Sequence, residues 1–120
     1  MLRFELLRDK GILVVVPEGV LEAADFQRIA HEVDPYIAER GGLKGLMVKA
    51  PSFPGWDDFA ALIGHMKFVR DHHRKIGRVA AVTDSGFVKV AATVAAQLAQ
   101  PEIKLFEPRD EAAALAWLAG

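Results

Sequence analysis

The sequence predicts an α/β domain: a mostly parallel sheet of four to five strands with an antiparallel edge strand, flanked by four helices. Two observations carry this prediction. Apolar strand-like runs recur at Leu2–Leu7, Ile12–Pro17, Leu43–Ala50, Arg78–Thr83 and Ile103–Phe106. After the first two, each run is followed by a segment with helical spacing of its apolar residues. The resulting order, ββαβαβαβα, implies an opening hairpin and then parallel crossovers with helices covering the sheet.

The first strand reads from partial alternation over Leu2–Leu7. Asp9-Lys10-Gly11 is a hairpin turn signal, so this strand runs antiparallel at an edge. Ile12–Pro17 is apolar on both faces and is therefore placed inside the sheet. From Glu22 to Arg40, Phe26, Ile29, Ala30, Val33 and Ile37 mark one helical face. Gly41-Gly42 stops that helix, and Pro35 inside it predicts a kink or an early end. A strand over Leu43–Ala50 is followed by the loop Pro51-Ser52-Phe53-Pro54-Gly55. A helix is expected from about Asp57 to Lys75, ended by Gly77, with the next strand at Arg78–Thr83. Asp84-Ser85-Gly86 leads into an alanine- and valine-rich helix, Phe87–Ala99, which Pro101 breaks. After Ile103–Phe106, Pro108 suits the first turn of a last helix, Arg109–Leu118, with Asp110 and Glu111 near its positive end.

Bulk composition excludes several classes of function. The 120 residues suit one domain over 1–120 with one core. Fifteen basic and sixteen acidic side chains give a formal net charge of −1, which is no footprint for nucleic acid. The absence of cysteine excludes disulfides, thiol catalysis and zinc-thiolate sites. The apolar run Ile12–Val16 is too short for a membrane span and lacks the layout of a signal peptide. A cytoplasmic protein is the expectation.

Residues 52–73, SFPGWDDFAALIGHMKFVRDHH, are the most distinctive stretch. At about 100° per residue, Phe59, Leu62, Ile63, Met66, Val69 and His73 share one face, the ordinary mark of a helix packed on a sheet. Phe68 projects roughly opposite Phe59, near His65 and His72, and makes a second, smaller apolar patch. His65, His72 and His73 are spaced i, i+7 and i+8. A metal-binding helix needs ligands at i and i+3 or i+4, whereas His65 and His72 stand about 10 Å apart along the axis. This helix alone therefore makes no zinc site. His72-His73-Arg74-Lys75 reads as a basic helix end, favoured by the macrodipole and suited to an anionic headgroup or a carboxylate. Asp57-Asp58 reads as first-turn capping. Asp84-Ser85-Gly86 lies at the carboxyl end of a parallel strand, where open α/β sheets place their sites; Ser85 is either a nucleophile, a phosphoacceptor or a helix cap. No G-x-S-x-G, G-x-G-x-x-G or P-loop pattern is present, and no cofactor is implied.

Through Phe53-x-Gly55-Trp56, Phe68-x-x-x-His72-His73, Arg78-Val79-Ala80-x-Val82-x-Asp84 and Ala113-x-x-x-Trp117-Leu118, the sequence resembles the SpoIIAA-like proteins. These are small bacterial members of the STAS superfamily, also likened to the lipid-binding CRAL-TRIO domains. The resemblance covers nearly the whole chain. It implies a four- or five-stranded sheet flanked by helices, often a homodimer, and a helix after the third strand that swings to uncover an apolar cavity. Pro51, Pro54 and Gly55 would supply the hinge. One departure stands out. STAS anti-sigma-factor antagonists carry a D-S-S/T-G-like phosphorylation motif between the third strand and the next helix. Here only Ser52 is at that place, with no aspartate before it, and Asp84-Ser85-Gly86 falls one unit too late.

Three functions compete. The first is a non-enzymatic module for an apolar or lipid-like ligand, with peripheral membrane association through the helix at about 56–75. Its lining would be Phe53, Trp56, Phe59, Ile63, Met66, Phe68 and Phe87, with His72, His73 and Arg78 holding a headgroup. The second is a STAS-type domain that binds a regulatory protein through the loop at 51–55 or 84–86, with Ser52 or Ser85 as phosphoacceptor. The third is an enzyme using Asp84, Ser85 and a histidine, which no spacing in the sequence brings together.

Overall fold

The computed structural model describes residues 2–18, 22–49, 72–83 and 102–120. Five strands lie side by side in chain order: β1 (Leu2–Leu7), β2 (Ile12–Pro17), β3 (Leu43–Lys49), β4 (Ile76–Val82) and β5 (Glu102–Phe106). β1 pairs with β2 antiparallel, and every later pairing is parallel. The expected mixed sheet with an antiparallel edge is therefore present. The hairpin turn closes through Gly11 N–H donating to the Leu7 carbonyl at 2.9 Å, with Gly11 at φ 70°.

Helix α1 (Ala23–Arg40) runs for 18 residues and does not end early at Pro35. Pro35 cannot donate to the carbonyl of His31. Both residues are exposed, so water can meet that carbonyl and the helix continues. It ends instead at Gly41, whose N–H donates to the Ile37 carbonyl at 2.7 Å. The predicted stripe is the buried one: Phe26, Ile29, Val33 and Ile37, joined by Tyr36, pack on Leu13 and Val15. Helix α2 (Glu111–Ala119) follows a single 3₁₀ turn at Pro108–Asp110, so the last helix starts later than its proline suggests. On the opposite face, Ala114 and Leu118 of α2 pack on Ile12, Met47, Ala80 and Val82. Ile12 and Leu13 thus serve different cores, as strand alternation requires. This is why β2 is apolar on both faces.

Two expectations about the region before β4 change. Gly77 does not end a helix. It lies inside β4, which begins at Ile76 after a 3₁₀ turn at His73–Lys75. A Cβ at Gly77 would stand 2.9 Å from the Lys44 carbonyl oxygen, so the residue is held to glycine by the close approach of β3. Of the four expected helices, α1 and α2 are described; the helices expected at 57–75, apart from its end, and at 87–99 lie outside the described residues. Among the described residues no helix is long and apolar enough to cross a membrane.

The start of β1 is tied to the start of α1. Asp25 accepts from the Glu22 N–H at 2.8 Å, and Arg28 donates to both Asp25 (3.2 Å) and the Leu2 carbonyl (2.8 Å). Burial acts to raise the Asp25 carboxyl. Hydrogen bonds from the Glu22 and Leu2 backbone and the Arg28 charge outweigh it and hold the group below its ordinary value. The ionised form is therefore favoured by folding. That stability is present above the unfolded carboxyl value, near pH 4, and is lost as pH falls through the lower folded value. Urea midpoints should fall as pH drops below about 4. Asp25→Asn should be less stable at pH 7 and show a shallower acid loss; an acid slope identical to wild type would rule Asp25 out as its source.

Candidate functional site

Two clusters of polar and aromatic groups stand out among the described residues, on opposite sides of the sheet. The first lies on the α1 side. His72, at the end of the segment before β4, is buried at 7 % exposure, which replaces the expected solvated helix end. Its Nε2 lies 2.6 Å from Asp34 Oδ1 on α1. An ionised carboxylate only accepts, so Nε2 carries the proton in this bond. Asp34, Ile37, Ala38, His72 and Lys75 line a cavity of about 330 Å³. The walls are mixed: Ile37 and Ala38 supply apolar surface, and Asp34 and Lys75 supply opposite charges.

This pair has the reverse of the burial pattern of a Ser-His-Asp dyad. In a catalytic dyad the carboxylate is buried and orients an imidazole that reaches the substrate. Here the imidazole side chain is 9 % exposed and the carboxylate side chain 57 %. The group that meets solvent is the acceptor-only carboxylate. The arrangement joins the segment before β4 to α1 instead. Asp34→Ala should leave a buried donor without this partner and cost about 1–2 kcal/mol, the lower part of the usual range because water reaches the vacated side. Chemical denaturation measures this, and a loss within error of zero would show that the bond does not hold the segment.

The second cluster lies on the α2 side. Arg78 of β4 donates from Nη1 to the Trp117 carbonyl at 2.8 Å, and its guanidinium stacks 5.1 Å from the Trp117 ring. Glu102 approaches Nε at 3.7 Å. Lys104 sits over Phe106 and Trp117, whose rings are 5.9 Å apart. Arg78 thereby fastens α2 to β4, with both charge and stacking engaged.

The sheet therefore separates two residues that the sequence reading grouped around one headgroup: His72 faces α1, and Arg78 faces α2. The side chain of His73 lies outside the described set. So do Phe53, Trp56, Phe59, Ile63, Met66, Phe68 and Phe87, and both serines, Ser52 and Ser85. At the carboxyl ends of the strands, Lys49 pairs with Glu111 at 3.1 Å and the Thr83 N–H donates to the Phe106 carbonyl at 3.0 Å. No group of three or more metal-ligating side chains occurs among the described residues. Sequence reasoning missed Asp34 and Lys104; Lys75 was singled out, as part of the basic run after His72. Asp34 and His72 are 38 positions apart, and nothing in either local sequence marks them as partners.

A family model described as SpoIIAA-like matches residues 12–119. A crystal structure of an uncharacterised protein of the DUF3478 family from Shewanella loihica, described as having a SpoIIAA-like fold, superposes with a TM-score of 0.75. The match covers 98% of this chain and 92% of that one at 22% identity. No curated protein matches the sequence.

Proposed function

We propose that this chain, which belongs to the SpoIIAA-like family, is a non-enzymatic interaction domain that acts by binding a regulatory protein. The observation that carries this reading is the inverted His72–Asp34 pair. The described histidine–carboxylate contact is built to hold two segments together, with its imidazole turned away from solvent. Arg78 is likewise committed to Trp117 and Glu102. Among the described residues, what remains for function is surface recognition, which the STAS-type fold supports.

A second reading rests on a specific sequence feature. The aromatic density of Phe53, Trp56, Phe59 and Phe68 favours an apolar or lipid-like ligand, with membrane contact through the same segment. Native mass spectrometry of the chain, recovered without detergent from cells that make it, separates the two. A complex with a second polypeptide at fixed stoichiometry is the expected result. A small mass that extracts into organic solvent, with no polypeptide bound, overturns the protein-partner reading in favour of the ligand. The same spectrum reports whether the chain pairs with itself.

A further inference from the structure

We propose that the amino-terminal end of the parallel sheet is a docking surface for an acidic segment of a partner protein. The proposal rests on the protein-partner reading above and locates its surface. Five exposed cations meet at this end: Lys10 in the hairpin turn, Arg40 at the end of α1, Lys44 in β3, and Arg74 and Lys75 just before β4. The backbone holds their carriers together. Lys44 N–H donates to the Gly11 carbonyl at 2.8 Å, Leu43 is in register with Ile76, and Tyr36 donates to the Arg8 carbonyl at 2.9 Å beneath the Arg40 guanidinium. Adjacent strands are about 4.8 Å apart, so β2, β3 and β4 present these charges across roughly 10 Å.

Charge bookkeeping shows a local excess. Arg8 at the same end is neutralised by Glu32 at 2.8 Å, and Asp34 is held by His72. Among the described residues, Glu102 at the start of β5 is met by Arg78 at 3.7 Å, and Asp9 and Glu39 are the other acids there, so five cations against two acids leave an excess of three. The whole chain carries −1. Helix-dipole complementation explains one cation at the α1 terminus, a place Arg40 fills. The same effect can account for Arg74 and Lys75, which follow a helical His72; it does not explain Lys10 and Lys44, drawn from two other segments. None of the five makes an ion pair with another described residue; Arg40 lies over the Tyr36 ring.

The chemistry fits a polypeptide better than a bilayer. The large apolar side chain that is exposed among the described residues is Leu105, on β5, so the described residues of this end offer nothing to insert into a membrane. It does offer a concavity. The cavity of about 330 Å³ opens beside Lys75, with Ile37 and Ala38 in its wall. A flat headgroup layer would leave it unfilled. An acidic segment can lay glutamates or aspartates on the cations and seat one apolar side chain in the cavity.

The test uses the full chain and a fluorescein-labelled peptide of glutamates with one central leucine, read by fluorescence anisotropy. The same peptide with glutamines is the control. The glutamate peptide should bind, the glutamine peptide should not, and affinity should fall as salt rises from about 0.05 to about 0.2 M. The triple variant Lys10→Glu, Lys44→Glu, Lys75→Glu should bind roughly tenfold or more weakly, with an unchanged far-UV circular dichroism spectrum. Lys104→Glu, in β5 on the α2 side of the sheet, should bind like wild type. Absent binding, binding unmoved by the triple variant, or an equal loss in Lys104→Glu overturns the proposal. So does sedimentation with phosphatidylglycerol vesicles by a chain that ignores the peptide. If native mass spectrometry recovers the same protein partner with the triple variant as with wild type, the docking surface is wrong and the interaction reading stands.

Discussion

Leu118→Ala should lower the unfolding free energy by about 2–5 kcal/mol, the range for deleting a buried leucine and leaving part of the hole open. Leu118 is 0 % exposed and packs with Met47, Ala80 and Val82. Those residues belong to β3 and β4, whose backbones are fixed by ladder hydrogen bonds, so the wall facing the cavity cannot collapse inward. The upper half of the range is therefore expected. Urea unfolding followed by circular dichroism should show a lower midpoint with an unchanged slope. A loss below about 1 kcal/mol would mean that α2 settles onto the sheet and refills the hole.

Gly45→Val should cost about 3 kcal/mol, at the high end for an overpacked core. A Cβ at position 45 would lie 2.8 Å from Leu118 Cδ2, 3.0 Å from its Cβ and 3.2 Å from its Cγ. Rotating Leu118 can move Cδ2 away; it cannot move Cβ. The helix itself must shift, which disturbs the Arg78–Trp117 hydrogen bond and stacking at its far side. The double variant Gly45→Val, Leu118→Ala should recover at least about 1 kcal/mol relative to the sum of the single losses, because the hole left by one change admits the methyls of the other. Strict additivity in that cycle would show that the two residues do not meet.

Much of the fold was legible because its signals are local. The α1 stripe at Phe26, Ile29, Val33 and Ile37 follows from helical spacing, and the double-sided apolar character of Ile12–Pro17 follows from its place between two covered faces. Gly77 was misread for a physical reason. A glycine after a helical pattern resembles a stop signal, yet its actual constraint is the Lys44 carbonyl on a neighbouring strand. That the helix would run on past Pro35 was not legible, because exposure of the freed carbonyl cannot be seen in the chain order. The site was far less legible. His72 was singled out as part of a basic run, but its partner Asp34 comes from α1. Arg78 was grouped with His72 by proximity in sequence, although His72 meets Asp34 of α1 and Arg78 reaches Trp117 of α2. Of the cations at the amino-terminal end, Arg74 and Lys75 belong to a visible basic run, whereas Lys10, Arg40 and Lys44 sit in separate segments and no charge run announces them.

The strict neighbour-by-neighbour order of the strands bears on how the protein is made. Each parallel strand pairs with the one synthesised before it, so the sheet can grow in step with translation, each new strand docking on an edge that already exists. The α1 side closes early, since α1 is complete before β3 emerges. The opposite side cannot, because α2 comes after every strand it covers. Until α2 leaves the ribosome, Ile12, Met47, Ala80 and Val82 form an apolar surface with no lid from α2, and a nascent chain stalled at that point is the species a chaperone would be expected to recognise.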